Sequence, residues 1–127
     1  MFVLRLKCLV VLCLTFFIGC ADTGPEKTIV TVYSPHGKPI LPEFENLFEA
    51  AHPTIDVQWL DMGSQDVLDR VRSERANPHG DVWWGAPATN FIEAADEGLL
   101  LPYRPTWADQ LKPDFKDPED RWYGTAQ

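Results

Sequence analysis

Residues 28–37 read Thr-Ile-Val-Thr-Val-Tyr-Ser-Pro-His-Gly, and this stretch decides the fold. The β-branched run from Thr28 to Tyr33 is short and continuous, which predicts a buried parallel strand. Pro35 and Gly37 stop it. Beyond them Ile40, Leu41, Phe44, Leu47, Phe48 and Ala51 recur at the three-and-four spacing of an amphipathic helix, with Glu43, Glu45 and Glu49 opposite. Pro42 falls in the first turn, where a missing N–H is tolerated, and Pro53 ends the helix. Strand, short polar loop and helix start make one corner of an α/β sheet. Ligands of such sheets sit in the crevice beyond the carboxyl ends of the strands. The helix start adds free N–H donors and a positive dipole end.

The pattern recurs twice. Ile55, Val57 and Trp59 alternate with Asp56 and Gln58, which predicts a second strand nearer the sheet edge. Met62-Gly63-Ser64 turns the chain, with Ser64 expected as N-cap and Asp66 in the first turn of a helix carrying Val67, Leu68 and Val71. Asn77-Pro78 breaks that helix. Asp81 to Trp84 predicts a third, short strand, and Gly85 to Ala88 a loop. Thr89 or Asn90 is expected to cap a third helix through Phe91, Ile92 and Ala95, with Gly98 as its left-handed terminator. The order β-α-β-α-β-α, with short connections, predicts an α/β fold with a mostly parallel sheet. Beyond Leu101 prolines crowd the chain, leaving room for one short helix around Trp107 to Leu111.

The first nineteen residues read as an address. Arg5 and Lys7 form a basic start, and Cys8 to Ile18 is apolar apart from Thr15, too short to span a bilayer and suited to a signal peptide. Phe17-Ile18-Gly19-Cys20 resembles the lipobox of bacterial lipoproteins, which implies acylation of Cys20. Ordinary secretory cleavage nearby is the alternative. Residues 20–27 make a small, polar tether. All three cysteines, Cys8, Cys13 and Cys20, lie at or before the cleavage point. The mature chain thus has no internal disulfide and no CxxC metal site. Removing Arg5 and Lys7 takes the formal charge from −8 to −10, an acidic balance that argues against nucleic acid as a partner. Five tryptophans and seven phenylalanines supply apolar mass for a small domain. Trp122 to Gln127 reads like the entry to another strand, so truncation is expected.

Three corners on one edge imply small-molecule binding. At the first, Ser34, Pro35, His36 and Gly37 follow the strand. Ser34 either holds an anionic oxygen or forms a turn. His36 either meets phosphate or a metal, or is an ordinary loop histidine. At the second, Gly63 and Ser64 suit a phosphate or carboxylate oxygen at a helix start, with N-capping as the plain alternative. At the third, Trp84 either walls the cleft or packs in the core, with Trp83 on the opposite face. Gly85 and Ala86 lack bulk and admit a ligand to the backbone. Asp81 opens its strand at the far end, where a structural hydrogen bond is expected. No catalytic triad, metal-ligand spacing, P-loop or GxGxxG turn occurs, so neither an enzyme nor a cofactor is indicated.

The run Val-Tyr-Ser-Pro-His-Gly, then His-Pro-Thr-Ile-Asp-Val, Gly-Ser, Gly-Asp-Val-Trp-Trp-Gly and Glu-Gly-Leu-Leu resembles the extracellular solute-binding proteins of bacterial ABC importers. The branch it is most similar to binds ferric iron, phosphonates and sugar phosphates. The resemblance implies a class II binding-protein fold with residues 28–127 as the first part of lobe 1 and the second lobe absent. It also implies a monomer that is lipid-anchored on the periplasmic side of the envelope and docks on an ABC permease. The expected ligand is an anion such as a phosphonate or sugar phosphate, or a carbonate-assisted ferric ion, whereas polyamines fit poorly. In the iron-binding branch a carboxylate joins the loop histidine, and Ser64-Gln65 offers no glutamate there. An envelope-anchored interaction domain without a transport role is the alternative.

Overall fold

The computed structural model describes residues 26–124; the expected signal peptide, Cys20, most of the expected tether and the last three residues of the expected strand entry lie outside the described residues. Within them the predicted order holds: β1 (Thr28–Ser34), α1 (Leu41–Ala51), β2 (Ile55–Asp61), α2 (Ser64–Ser73), β3 (Val82–Trp83) and α3 (Ala88–Asp96). Two single-turn 3₁₀ helices follow, Ala108–Gln110 and Pro113–Phe115.

The sheet runs β2-β1-β3, parallel throughout. Ser34 stands opposite Asp61, and Tyr33 opposite Trp83, so the carboxyl ends of all three strands share one edge. β2 lies at a sheet edge, as its alternation predicts.

The strand period of two sorts the faces. Tyr33 and Trp83 face α2 and α3: the Tyr33 hydroxyl meets Arg70 and Glu74 of α2, and Trp83 stacks on Phe91 of α3. Val67, Leu68, Ala94 and Ala95 are buried there. Val30, Val32, Val57, Trp59 and Trp84 line the other face with Phe44 and Phe48 of α1, around an apolar groove of 320 Å³. One helix does not cover that face. Leu47 is 65 % exposed, and Phe44 and Phe48 remain largely exposed too. The indole Nε1 of Trp59 is buried without a hydrogen-bond partner among the described residues.

Three local expectations are corrected. The N-cap of α2 is Gly63, not Ser64, and no side chain caps the helix. The chain turns into the helix one residue early, because extended Gly63 already places its carbonyl to accept from Val67. The N-cap of α3 is Pro87 rather than Thr89 or Asn90, again with no side-chain cap. The helix expected around Trp107 shrinks to a 3₁₀ turn, and β3 pairs over two residues only. Gly98 does end α3 at φ 68°, its N–H bonding Ala95 O while that of Leu99 bonds Ala94 O.

The proline-rich segment is held by side chains. Asp117 is buried and accepts from both Arg121 Nε and Nη2, while Arg121 Nη1 reaches Ala95 O at the end of α3. Asp81 also plays the structural part expected of it: its Oδ2 accepts the Thr31 N–H at 2.8 Å.

Candidate functional site

The chain leaves β1 over one face to reach β2 and returns over the other to reach β3, so strand order reverses at β1. A ligand crevice is expected between the loops following β1 and β3. Into that crevice the fold brings His36, Trp84, Gly85 and Ala86.

At the first corner Ser34 is fully buried. Its Oγ accepts the His36 N–H at 3.3 Å, and its carbonyl accepts the Met62 N–H. Ser34 thus makes the bonds of a turn and ties the first corner to the second. Pro35 is half-buried, His36 exposed, and Gly37 turns the chain at φ 73°.

The imidazole of His36 lies against the Trp84 indole, ring centroids 4.7 Å apart. It also covers Gly85, where a Cβ would stand 2.1 Å from Nε2. The open approach to the Gly85 backbone expected from the sequence is therefore closed here by the ring. Gly85 sits at φ 87° with its carbonyl bonded by Trp83 Nε1 at 3.1 Å. Trp84 lies just past β3 and is half-buried, its ring also against Phe44 and Trp59. It thus packs in the aromatic cluster of that face while also meeting the His36 ring at the strand's end.

At the second corner Gly63 is exposed and Ser64 half-buried. As the first helical residue Ser64 keeps its hydroxyl free of capping. Two carboxylates flank this corner, one on each side of the loop. Asp61 ends β2, exposed, with Oδ2 4.0 Å from where a Gly37 Cβ would be. Asp66 makes no cap bond, and its Oδ2 would stand 2.9 Å from a Cβ at Gly63. Alternation along β2 could have flagged Asp61, since it falls at the strand's carboxyl end. Among the described residues no three His, Cys, Asp or Glu side chains are grouped to hold a metal.

No protein-family model matches the chain. It is similar to the "Probable ABC transporter periplasmic-binding protein y4fP" of Sinorhizobium fredii, 34% identical over 103 residues, 81% of this chain and 26% of that protein. It is also similar to "Iron uptake protein A2" of Synechocystis, 26% identical over 124 residues, 89% of this chain and 35% of that protein. Among solved structures, AfuA from Actinobacillus pleuropneumoniae, a periplasmic binding protein described with fructose-6-phosphate bound, matches with TM-score 0.66. The identity is 26%, over 74% of this chain and 29% of that chain. Iron-bound HitA from Pseudomonas aeruginosa matches with TM-score 0.70 and 20% identity, over 76% and 31% of the two chains. The α/β fold with its parallel sheet is that of a periplasmic-binding-protein lobe. These relatives and neighbours are binding or uptake proteins, not enzymes. The chain spans between 26% and 35% of the length of the curated relatives just named.

Proposed function

We propose that this chain is the opening part of the solute-binding component of an ABC importer, carrying the first part of lobe 1. The observation behind the reading is the crevice at the β1/β3 switch point, flanked by three strand-to-helix corners on one sheet edge. A single lobe offers one wall of a cleft. In a two-lobed binding protein a second lobe closes over the ligand by hinge motion, and the closed form docks on its permease. The similarity to proteins named for periplasmic binding and iron uptake supports the same reading.

Residues 1–19 then act as a lipoprotein signal peptide, and acylated Cys20 tethers a monomer to the periplasmic side of the envelope through residues 20–27. Ser64, Gly63, Gly37 and His36 face the ligand, and Trp84, Gly85 and Ala86 back the crevice. The free Ser64 hydroxyl and the N–H groups of the first turn of α2 suit an anionic oxygen, as of a phosphonate or sugar phosphate. A specific observation favours a ferric ion instead: the Asp61 carboxylate stands beside the loop that carries His36, and hard cations take oxygen ligands.

Calorimetry of a two-lobed protein that carries this chain as its opening part, against inorganic phosphate, fructose-6-phosphate and ferric citrate, tests the reading. Saturable binding of one of the three supports it. Silence toward all three, from a folded sample, removes its ligand half. Continuation of the gene past Gln127 into a second βαβ lobe, beside permease and ATPase genes, tests the remainder.

A further inference from the structure

We infer that His36 is a positioning residue of the β1/β3 crevice, and that the site requires its ring rather than its nitrogens. This rests on the binding-protein reading for what the crevice is for, and on geometry for the rest.

The ring is gripped from two sides. One is the Trp84 indole at 4.7 Å, tilted by 58°. The other is Gly85, whose position for a Cβ is taken by Nε2 at 2.1 Å and Cδ2 at 2.5 Å. Both grips are themselves fixed. The Trp84 ring is braced by Phe44 at 4.7 Å and the Trp84 backbone N–H donates to Tyr33 O at 2.9 Å, while the Gly85 carbonyl accepts from Trp83 Nε1 at 3.1 Å. A histidine that ligates a metal through one nitrogen usually has the other oriented by a carboxylate, carbonyl or water. Among the described residues no protein group bonds either ring nitrogen of His36, and the contacts that hold the ring are those with Trp84 and Gly85. The missing side chain of Gly85 makes room for this ring, and a ligand in the crevice rests on the ring's outer edge. His36 thereby sets the spacing between the first and third corners.

Two measurements test this, the first on the mature chain and the second on a two-lobed protein that carries it. The first needs no ligand: a double-mutant cycle of thermal unfolding with Gly85→Ala, His36→Ala and the pair. The Gly85→Ala drop in midpoint is expected to shrink by about half or more in the His36→Ala background, because the clash is gone and only the φ penalty is left. Additive drops would overturn the contact. The second compares variants that keep either the ring or the polarity, titrated with ferric citrate and separately with inorganic phosphate. His36→Phe is expected to keep wild-type affinity within about threefold, and His36→Gln to lose about tenfold or more. The reverse order, equal losses, or no loss in either variant would overturn the inference. A folded wild type that binds neither probe would instead count against the binding-protein reading, and the unfolding cycle would then decide the contact alone.

Discussion

Gly80 lies flat against the ring of Tyr33: a Cβ at position 80 would stand 2.7 Å from Cε2 and 2.8 Å from Cζ. Tyr33 is only 2 % exposed, and its hydroxyl is fixed, so the ring has nowhere to retreat. Gly80→Ala is therefore an overpacking change that should destabilise the fold by about 1–3 kcal/mol. Urea unfolding followed by tryptophan fluorescence measures it. An unchanged midpoint would mean that the 78–80 loop moves freely off the ring.

The fixing of Tyr33 makes its own prediction. Its hydroxyl donates to Glu74 Oε2 at 2.8 Å and accepts from Arg70 Nε at 3.2 Å, beneath the Arg70 guanidinium. Burial, and then the bond to Glu74, raise the phenol above its ordinary value of 10.0. The folded state thus favours the protonated phenol. Its contribution is full below the unfolded value and is lost as pH rises through the raised folded one. Tyr33→Phe should lower stability by about 1 kcal/mol at neutral pH. It should also flatten the decline in unfolding midpoint above about pH 10. A variant with the wild-type alkaline profile would place the titration elsewhere.

Much of this framework was legible in the sequence, because period and punctuation are local. The run at Thr28, the alternation at Ile55 and the three-and-four spacing from Ile40 each specify an element without reference to its neighbours. The helix starts differ from expectation by one to three residues because a serine, threonine or asparagine reads as a cap by type, whereas capping depends on where extended backbone ends. The Asp117–Arg121 knot and the His36–Gly85 contact were invisible for another reason. Each depends on proximity set by the fold, the former through the reach of Arg121 to Ala95 O at the end of α3 and the latter at the β1/β3 edge. The amphipathic pattern of α1 was read correctly as a helix, but pattern alone does not say what covers Phe44, Leu47 and Phe48.

Asp117 predicts an acid transition of the proline-rich segment. The bond to the Arg121 guanidinium holds its carboxyl below the ordinary value of 3.8, assisted by the N–H groups of Arg121 and Glu119. A lowered folded pKa gives stability that is present above the unfolded value and lost as pH falls through the folded one. Trp122 and Tyr123 should therefore lose their environment only below the ordinary carboxylate range. In Asp117→Asn the segment should already be loosened at neutral pH and show little further change on acidification. Near-UV circular dichroism from pH 7 to pH 2 follows this. A wild-type acid transition that survives in the variant would refute the assignment.

The sharpest ligand test lies at the second corner, where a donor and a carboxylate compete. Ser64 opens α2 with an uncapped hydroxyl, and Asp61 ends β2 beside the Gly37 turn. For an anionic ligand, Ser64→Ala removes one charge-assisted hydrogen bond, typically about 1.5–3 kcal/mol, and should weaken phosphate-ester binding by about tenfold or more. Asp61→Asn removes a like charge, and the same ligand should then bind more tightly, by no more than about threefold because the site is open to solvent. A ferric ligand reverses the second sign: Asp61→Asn deletes an oxygen donor and should weaken it steeply, while Ser64→Ala matters little. The pair of variants thus reports the charge of the ligand whatever its identity. Calorimetry with fructose-6-phosphate and with ferric citrate gives the four numbers. Two variants that alter neither titration would show that the second corner does not meet the ligand.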